Sequence, residues 1–191
     1  MLREMLRRAL FVPVLTVEDA GPVAELTQAL AEGGLKVVEF TLRTPAALAA
    51  IEAAASVKGV TVGAGTVLRE LDFVRAADRG ASFFVSPGFS QDLAQAARGR
   101  AWLPGVQTPS EVMAARSAGF KELKFFPSEF AGGPGWLKAI HAVFPELLFC
   151  PTGSIAEGRI KDYLAAPNVA CVGGAWVAPA ELIAKRDFKA I

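Results

Sequence analysis

Cysteine, histidine and tyrosine are nearly missing from this 191-residue chain, which holds two, one and one of them. Cys150 and Cys171 lie 21 positions apart in apolar runs, without C-x-x-C spacing, and the lone His141 cannot complete a zinc site with them. They read as buried free thiols of a reducing compartment. Excess charge is missing as well: 20 Lys and Arg against 19 Asp and Glu leave +1. That balance argues against nucleic acid, whose binders gather a basic surplus on one face. No run reads as a membrane span, because the longest uncharged stretch, Tyr163 to Ala180, contains Pro167, Gly173, Gly174 and Pro179. A signal peptide is not indicated either: Arg3, Arg7 and Arg8 precede apolar Ala9 to Val17, but Pro13 interrupts and Glu18-Asp19 follow. An amphipathic first helix in a cytoplasmic protein fits better. With no linker, low-complexity tract or charge block, residues 1–191 read as one domain.

What is present is an alternation of short apolar runs with Ala- and Leu-rich stretches. Candidate strands are residues 12–15, 37–41, 60–66, 82–86, 101–106, 122–127, 148–153 and 169–174, their ends about 23 residues apart. That interval holds one strand and one crossover helix. Helix starts are expected at Thr44-Pro45, at the capping box Thr108-Pro109-Ser110-Glu111 and at a second one from Ser154 to Glu157, with Gly33-Gly34 as a stop. Strands apolar on both faces and separated by helices imply a covered parallel sheet. Eight such units predict a (β/α)8 barrel with a short extra N-terminal helix. A doubly wound open sheet is the alternative, without a G-x-G-x-x-G after the first strand to support it.

Barrel chemistry sits at the C-terminal strand ends, so polar residues there are the candidates. Lys124, between Leu123 and Phe125 in E-L-K-F-F-P, shares a strand face with Glu122 and Phe126. Burial disfavours its cation, and a neutral amine is what Schiff-base chemistry needs. A structural lysine paired with Glu39 is the other reading. In V-V-E-F-T-L-R, Glu39, Thr41 and Arg43 project together: a carboxylate for proton transfer, a hydroxyl, and a guanidinium to clamp a carboxylate. An internal Glu–Arg ion pair explains the same pattern. Glycine-rich strand ends, above all P-T-G-S (151–154) and G-G-A (173–175) after the last two strands, suit backbone N–H groups meeting a phosphate. His141 reads as helix surface or packing, and Trp102, Trp136 and Trp176 as core or rim. Nothing clusters as a metal site.

Taken together, E-F-T-L-R, V-G-A-G-T-V-L, F-F-V-S-P-G, L-P-G-V-x-T-P-S-E, L-K-F-F-P-S-E, F-C-P-T-G and C-V-G-G-A-W resemble the 2-keto-3-deoxy-6-phosphogluconate (KDPG) aldolase family. Its members often also cleave 4-hydroxy-2-oxoglutarate (KHG). The likeness runs from about Val12 to Pro179, in order and spacing. It implies that Lys124 forms the Schiff base and that Glu39 is the general acid and base. It further implies that Arg43, Thr66, Thr152, Pro87 and Phe126 hold the pyruvate portion, and that Gly153, Ser154, Gly173 and Gly174 line the phosphate end. A cofactor-free, metal-free class I homotrimer acting on a phosphorylated or dicarboxylic keto acid follows from the same likeness. Two positions depart: Ala175 stands where many members have Ser, and Ser154 where they have a second Gly. The residues leave open a phosphosugar isomerase or epimerase, a non-catalytic phosphometabolite binder, and a galactonate-derived substrate.

Overall fold

The computed structural model describes residues 2–191. Nine strand segments form: β1 (Phe11–Leu15), β2 (Val37–Thr41), β3 (Thr61–Gly65), β4 (Phe83–Val85), β5 (Trp102–Leu103), β6 (Gly105–Val106), β7 (Glu122–Phe125), β8 (Leu148–Pro151) and β9 (Val172–Gly174). All pairings are parallel, in a six-stranded sheet ordered β5-β4-β3-β2-β1-β9 and a three-stranded sheet ordered β6-β7-β8. The architecture is TIM-barrel-like, with the first and last strands as neighbours.

The eight expected strands become nine segments because the fifth is split at Pro104. Proline cannot donate to a ladder, so it interrupts one. Its carbonyl still accepts from Lys124 N (2.8 Å), while Leu103 O accepts from Ser86 N (3.3 Å). The broken strand therefore serves β4 with its first half and β7 with its second. On the other side, isolated parallel bridges Phe149↔Val169 and Thr152↔Gly173 connect the end of β8 to the β9 region.

Helices α2 (Val23–Glu32), α3 (Ala47–Ala55), α4 (Glu70–Asp78), α5 (Gln91–Ala96), α6 (Pro109–Ser117), α7 (Gly133–Val143) and α8 (Ile160–Leu164) follow successive strands; α9 (Ala180–Lys185) comes last. Their apolar faces cover the sheets in two clusters, one on β1–β5 and one on β6–β8. A third cluster holds the inward side chains Val12, Val37, Phe83, Val85, Leu103, Leu148 and Cys150. The N-terminal helix α1 (Leu2–Ala9) packs Leu6 into it, and Arg3 Nε meets Glu122 Oε1 at 2.6 Å. Glu122 is the first residue of β7, so α1 caps the N-terminal strand ends.

The capping box at Thr108 forms as expected: Thr108 Oγ1 accepts from Glu111 N, and Glu111 accepts from Thr108 N and Gln107 N. Burial opposes ionisation of Glu111, yet these donors hold its carboxyl below the usual value. Gly33-Gly34 ends α2, Gly34 having φ +95°. The other two expected starts are corrected. Thr44 donates its hydroxyl to Val17 O at 2.6 Å, and α3 begins only at Ala47. Ser154 sits at φ +57°, outside any cap, and α8 starts at Ile160.

Candidate active site

Glu39 on β2 and Lys124 on β7 belong to different sheets and meet across the interior, Nζ to Oε1 at 3.5 Å. They are only 4% and 6% exposed. Small residues make the room. On β3 the inward positions are Gly63 and Gly65: a Cβ on Gly63 would overlap the Phe83 ring, and one on Gly65 would overlap Glu39 Oε1. Gly105 is the register partner of Lys124. Gly63 and Gly65 therefore vacate volume for side chains, and Gly105 for the backbone of Pro87 and Gly88.

The pair has the wrong geometry for a device built only for stability. A buried ion pair offsets desolvation only with close contact and satisfied lone pairs. Here the contact is long, against 2.6 Å for Arg3–Glu122, and Glu39 Oε1 has no hydrogen-bond partner. Among the described residues this buried carboxylate oxygen faces the Lys124 amine and is otherwise unpartnered, which marks the pair as the candidate for chemistry.

The Phe126 ring lies 5.4 Å from Lys124 Nζ. Arg43 Nε donates to Thr66 Oγ1 at 3.0 Å, Thr66 being a non-glycine residue at φ +59°. Such strain is stored where a side chain must be aimed. A cavity of about 640 Å³ opens at the ends of β1, β8 and β9. Arg43, Phe126, Thr152, Gly153, Ser154 and Gly174 line it. Gly173 sits beneath Thr152, where a Cβ would come within 2.5 Å of Oγ1. Lys124, Glu39 and Thr66 are not among the lining residues, though Phe126, which approaches Lys124, and Arg43, which meets Thr66, are. Pro87 also stays outside, its carbonyl backed onto Gly105. Sequence reasoning passed over Thr16, Ile155 and Ile183, which line the cavity too, and Trp176 proves to be a rim residue packed on Phe11. A groove of about 1000 Å³ between α2 and residues 186–189 is larger, but no strand end contributes to it, so the catalytic reading stays with the smaller cavity.

The loops around the cavity are strapped together. Ser128 N donates to Thr152 O (2.8 Å) and Glu129 N to Gly153 O (3.4 Å). Buried Ser128 donates to Tyr163 Oη at 2.9 Å, which donates to Glu129 Oε1 at 2.8 Å. Burial and the Glu129 carboxylate push this phenol up to about 12. Cys150 and Cys171 are buried free thiols; the contact with Cys150, together with burial, pushes Cys171 well above the usual thiol value. His141 lies on α7, half-buried. Among the described residues no three His, Cys, Asp or Glu side chains cluster as metal ligands.

The KDPG and KHG aldolase family model matches residues 2–191. The chain belongs to that family. The 2-dehydro-3-deoxy-phosphogluconate aldolase of Zymomonas mobilis is 44% identical over 178 residues, 92% of this chain and 86% of that protein. A KDPG aldolase from Legionella pneumophila, with pyruvate captured at low pH as a covalent carbinolamine intermediate, superposes with TM-score 0.96. It has 37% identity and covers 100% of this chain and 94% of its own. The Zymomonas mobilis ZM4 enzyme with 3-phosphoglycerate superposes at TM-score 0.91 with 41% identity, covering 99% and 94%. In this aldolase the expected Schiff-base lysine and proton carrier are thus the two buried groups that face each other.

Proposed function

We propose that this chain is a class I aldolase cleaving KDPG to pyruvate and glyceraldehyde 3-phosphate, and KHG to pyruvate and glyoxylate. The observation that carries the reading is the buried Lys124 amine, 3.5 Å from a Glu39 oxygen without another partner. Lys124 Nζ attacks the C2 ketone, and the carbinolamine loses water to give an iminium. Glu39 takes the proton from the C4 hydroxyl as the C3–C4 bond breaks; its electron pair moves into the iminium and forms an enamine, releasing the aldehyde. Glu39 returns the proton to C3, and water hydrolyses the resulting iminium to free pyruvate and the amine. Arg43, steadied by Thr66, holds the substrate C1 carboxylate so that the ketone meets the amine in attack geometry. Phe126 and Thr152, which line the cavity, shape the pyruvate end.

Arg43 is the sole charged side chain lining the cavity among the described residues. A distal phosphate would therefore be met by the backbone N–H groups of Gly153, Ser154, Gly173 and Gly174 and by the Ser154 hydroxyl. The carbinolamine trapped in the Legionella relative favours covalent chemistry over an isomerase, which needs no such adduct. The same reading takes residues 1–191 as one domain and the two sheets as a single (β/α)8 ring, with Pro104 and the β8–β9 bridges as its seams. It also expects a homotrimer in the cytoplasm. The exposed Leu68, Leu71 and Val74, spaced along the start and one face of α4, offer apolar surface for a subunit contact, and no described helix is long and apolar enough to cross a membrane.

Borohydride reduction in the presence of pyruvate tests the mechanism. The wild-type chain should gain one reduced pyruvate per polypeptide by mass, and Lys124→Met none. An adduct at wild-type stoichiometry on Lys124→Met overturns the assignment.

A further inference from the structure

Thr16 lies at the exit of β1, whose neighbours are β2 on one side and β9 on the other. It lines the cavity together with Arg43, which follows β2, and Gly174 of β9. The β1–β2 register, Val14↔Glu39 and Leu15↔Phe40, carried on by one position sets Thr16 opposite Thr41. Their hydroxyl oxygens are 2.7 Å apart.

The two threonines differ in burial. Thr41 is 2% exposed, while Thr16 faces solvent and the cavity. Among the described residues the Thr41 hydroxyl makes no side-chain hydrogen bond other than the one to Thr16. A buried hydroxyl proton needs an acceptor, so Thr41 donates and Thr16 accepts. The Thr16 proton is then free and aimed by its partner, a hydrogen-bond donor on the cavity wall. A hydroxyl in a chain of hydrogen bonds is also the better donor for accepting one.

We propose that Thr16 is a specificity-determining residue, donating to a hydroxyl on the substrate beyond the bond that is cleaved. This rests on the aldolase reading above. KDPG carries such a group at C5, between the reacting carbons and the phosphate. KHG has a carboxylate carbon there and no hydroxyl. Thr16 thereby favours the longer, polyhydroxylated aldehyde half, and it does so without a charge.

The test is the ratio of kcat/KM for KDPG to that for KHG, read by coupled pyruvate release. Thr16→Val keeps the shape and removes the hydroxyl. It should lower the ratio about fivefold to tenfold, the size of one neutral hydrogen bond, with the loss in KM for KDPG. Thr16→Ser should restore the wild-type ratio. Thr41→Val should lower the ratio in the same direction, and the double Val variant should lose little beyond Thr16→Val alone, since the two act as a unit. A Thr16→Val ratio within twofold of wild type, or a loss shared equally by both substrates, overturns the proposal for Thr16. Wild-type protein that releases no pyruvate from either substrate and traps none with borohydride overturns the aldolase reading instead.

Discussion

Replacing Gly65 by alanine puts a methyl group where the Glu39 carboxylate lies. The new Cβ would overlap Oε1 and stand 2.8 Å from Cδ and 2.9 Å from Cγ. Non-bonded carbons settle at about 3.5–4.0 Å, so the carboxylate must retreat by roughly 1 Å or β3 must bend. Overpacking of this kind costs about 1–3 kcal/mol, a fall in Tm of roughly 2–10 °C for a domain of this size. The kinetic effect should be larger in proportion, because displacing a reacting group by about 1 Å costs on the order of 100-fold. The three atoms nearest the new methyl all belong to Glu39 and none to Lys124, so imine formation should survive. Coupled pyruvate release should accordingly show kcat down about 100-fold, while borohydride still traps pyruvate on the folded variant. A Gly65→Ala protein turning over within threefold of wild type would refute the placement of Glu39 as proton carrier.

Arg43→Lys should raise KM about tenfold or more with a smaller change in kcat, because an ammonium cannot both meet the Thr66 hydroxyl and fork onto a carboxylate; steady-state kinetics with either keto acid would show it. Tyr163 predicts a pH dependence. Its folded value near 12 lies above the ordinary 10.0, so the stabilisation it carries is complete below pH 10 and is lost as pH rises toward 12. Urea melts should show wild type losing on the order of 1–3 kcal/mol more than Tyr163→Phe across that window. Because the chain has a single tyrosine, tyrosinate absorbance assigns the titration directly.

The strands were legible because each is an apolar run covered on both faces: all five residues of β2 are buried, and its boundaries match the expectation. Lys124 and Glu39 were legible for the converse reason, as charges where the pattern demanded apolar groups. What local pattern could not reveal depends on contacts from elsewhere in the chain. Thr44 looks like a cap beside Pro45, yet the carbonyl of Val17, brought close by the β1–β2 pairing, takes its hydroxyl. Ser154 and Glu157 have capping-box spacing, but the loop bends through positive φ at Gly153 and Ser154 before any helix starts. Gly63 and Gly65 lie in an expected strand, but their purpose shows only when Phe83 and Glu39 are seen to need their volume. Thr16 carries no signal of its own; only the β1–β2 register and the cavity lining single it out.

The placement of α1 beneath the strands has a kinetic consequence. With that end stoppered by Leu6 and the Arg3–Glu122 pair, reactants and products share one doorway. On the proposed mechanism the aldehyde fragment is untethered once formed, while its partner stays bonded to the Lys124 amine. Departure is therefore sequential, aldehyde ahead of pyruvate, and free pyruvate at high concentration blocks the passage by refilling the inner berth.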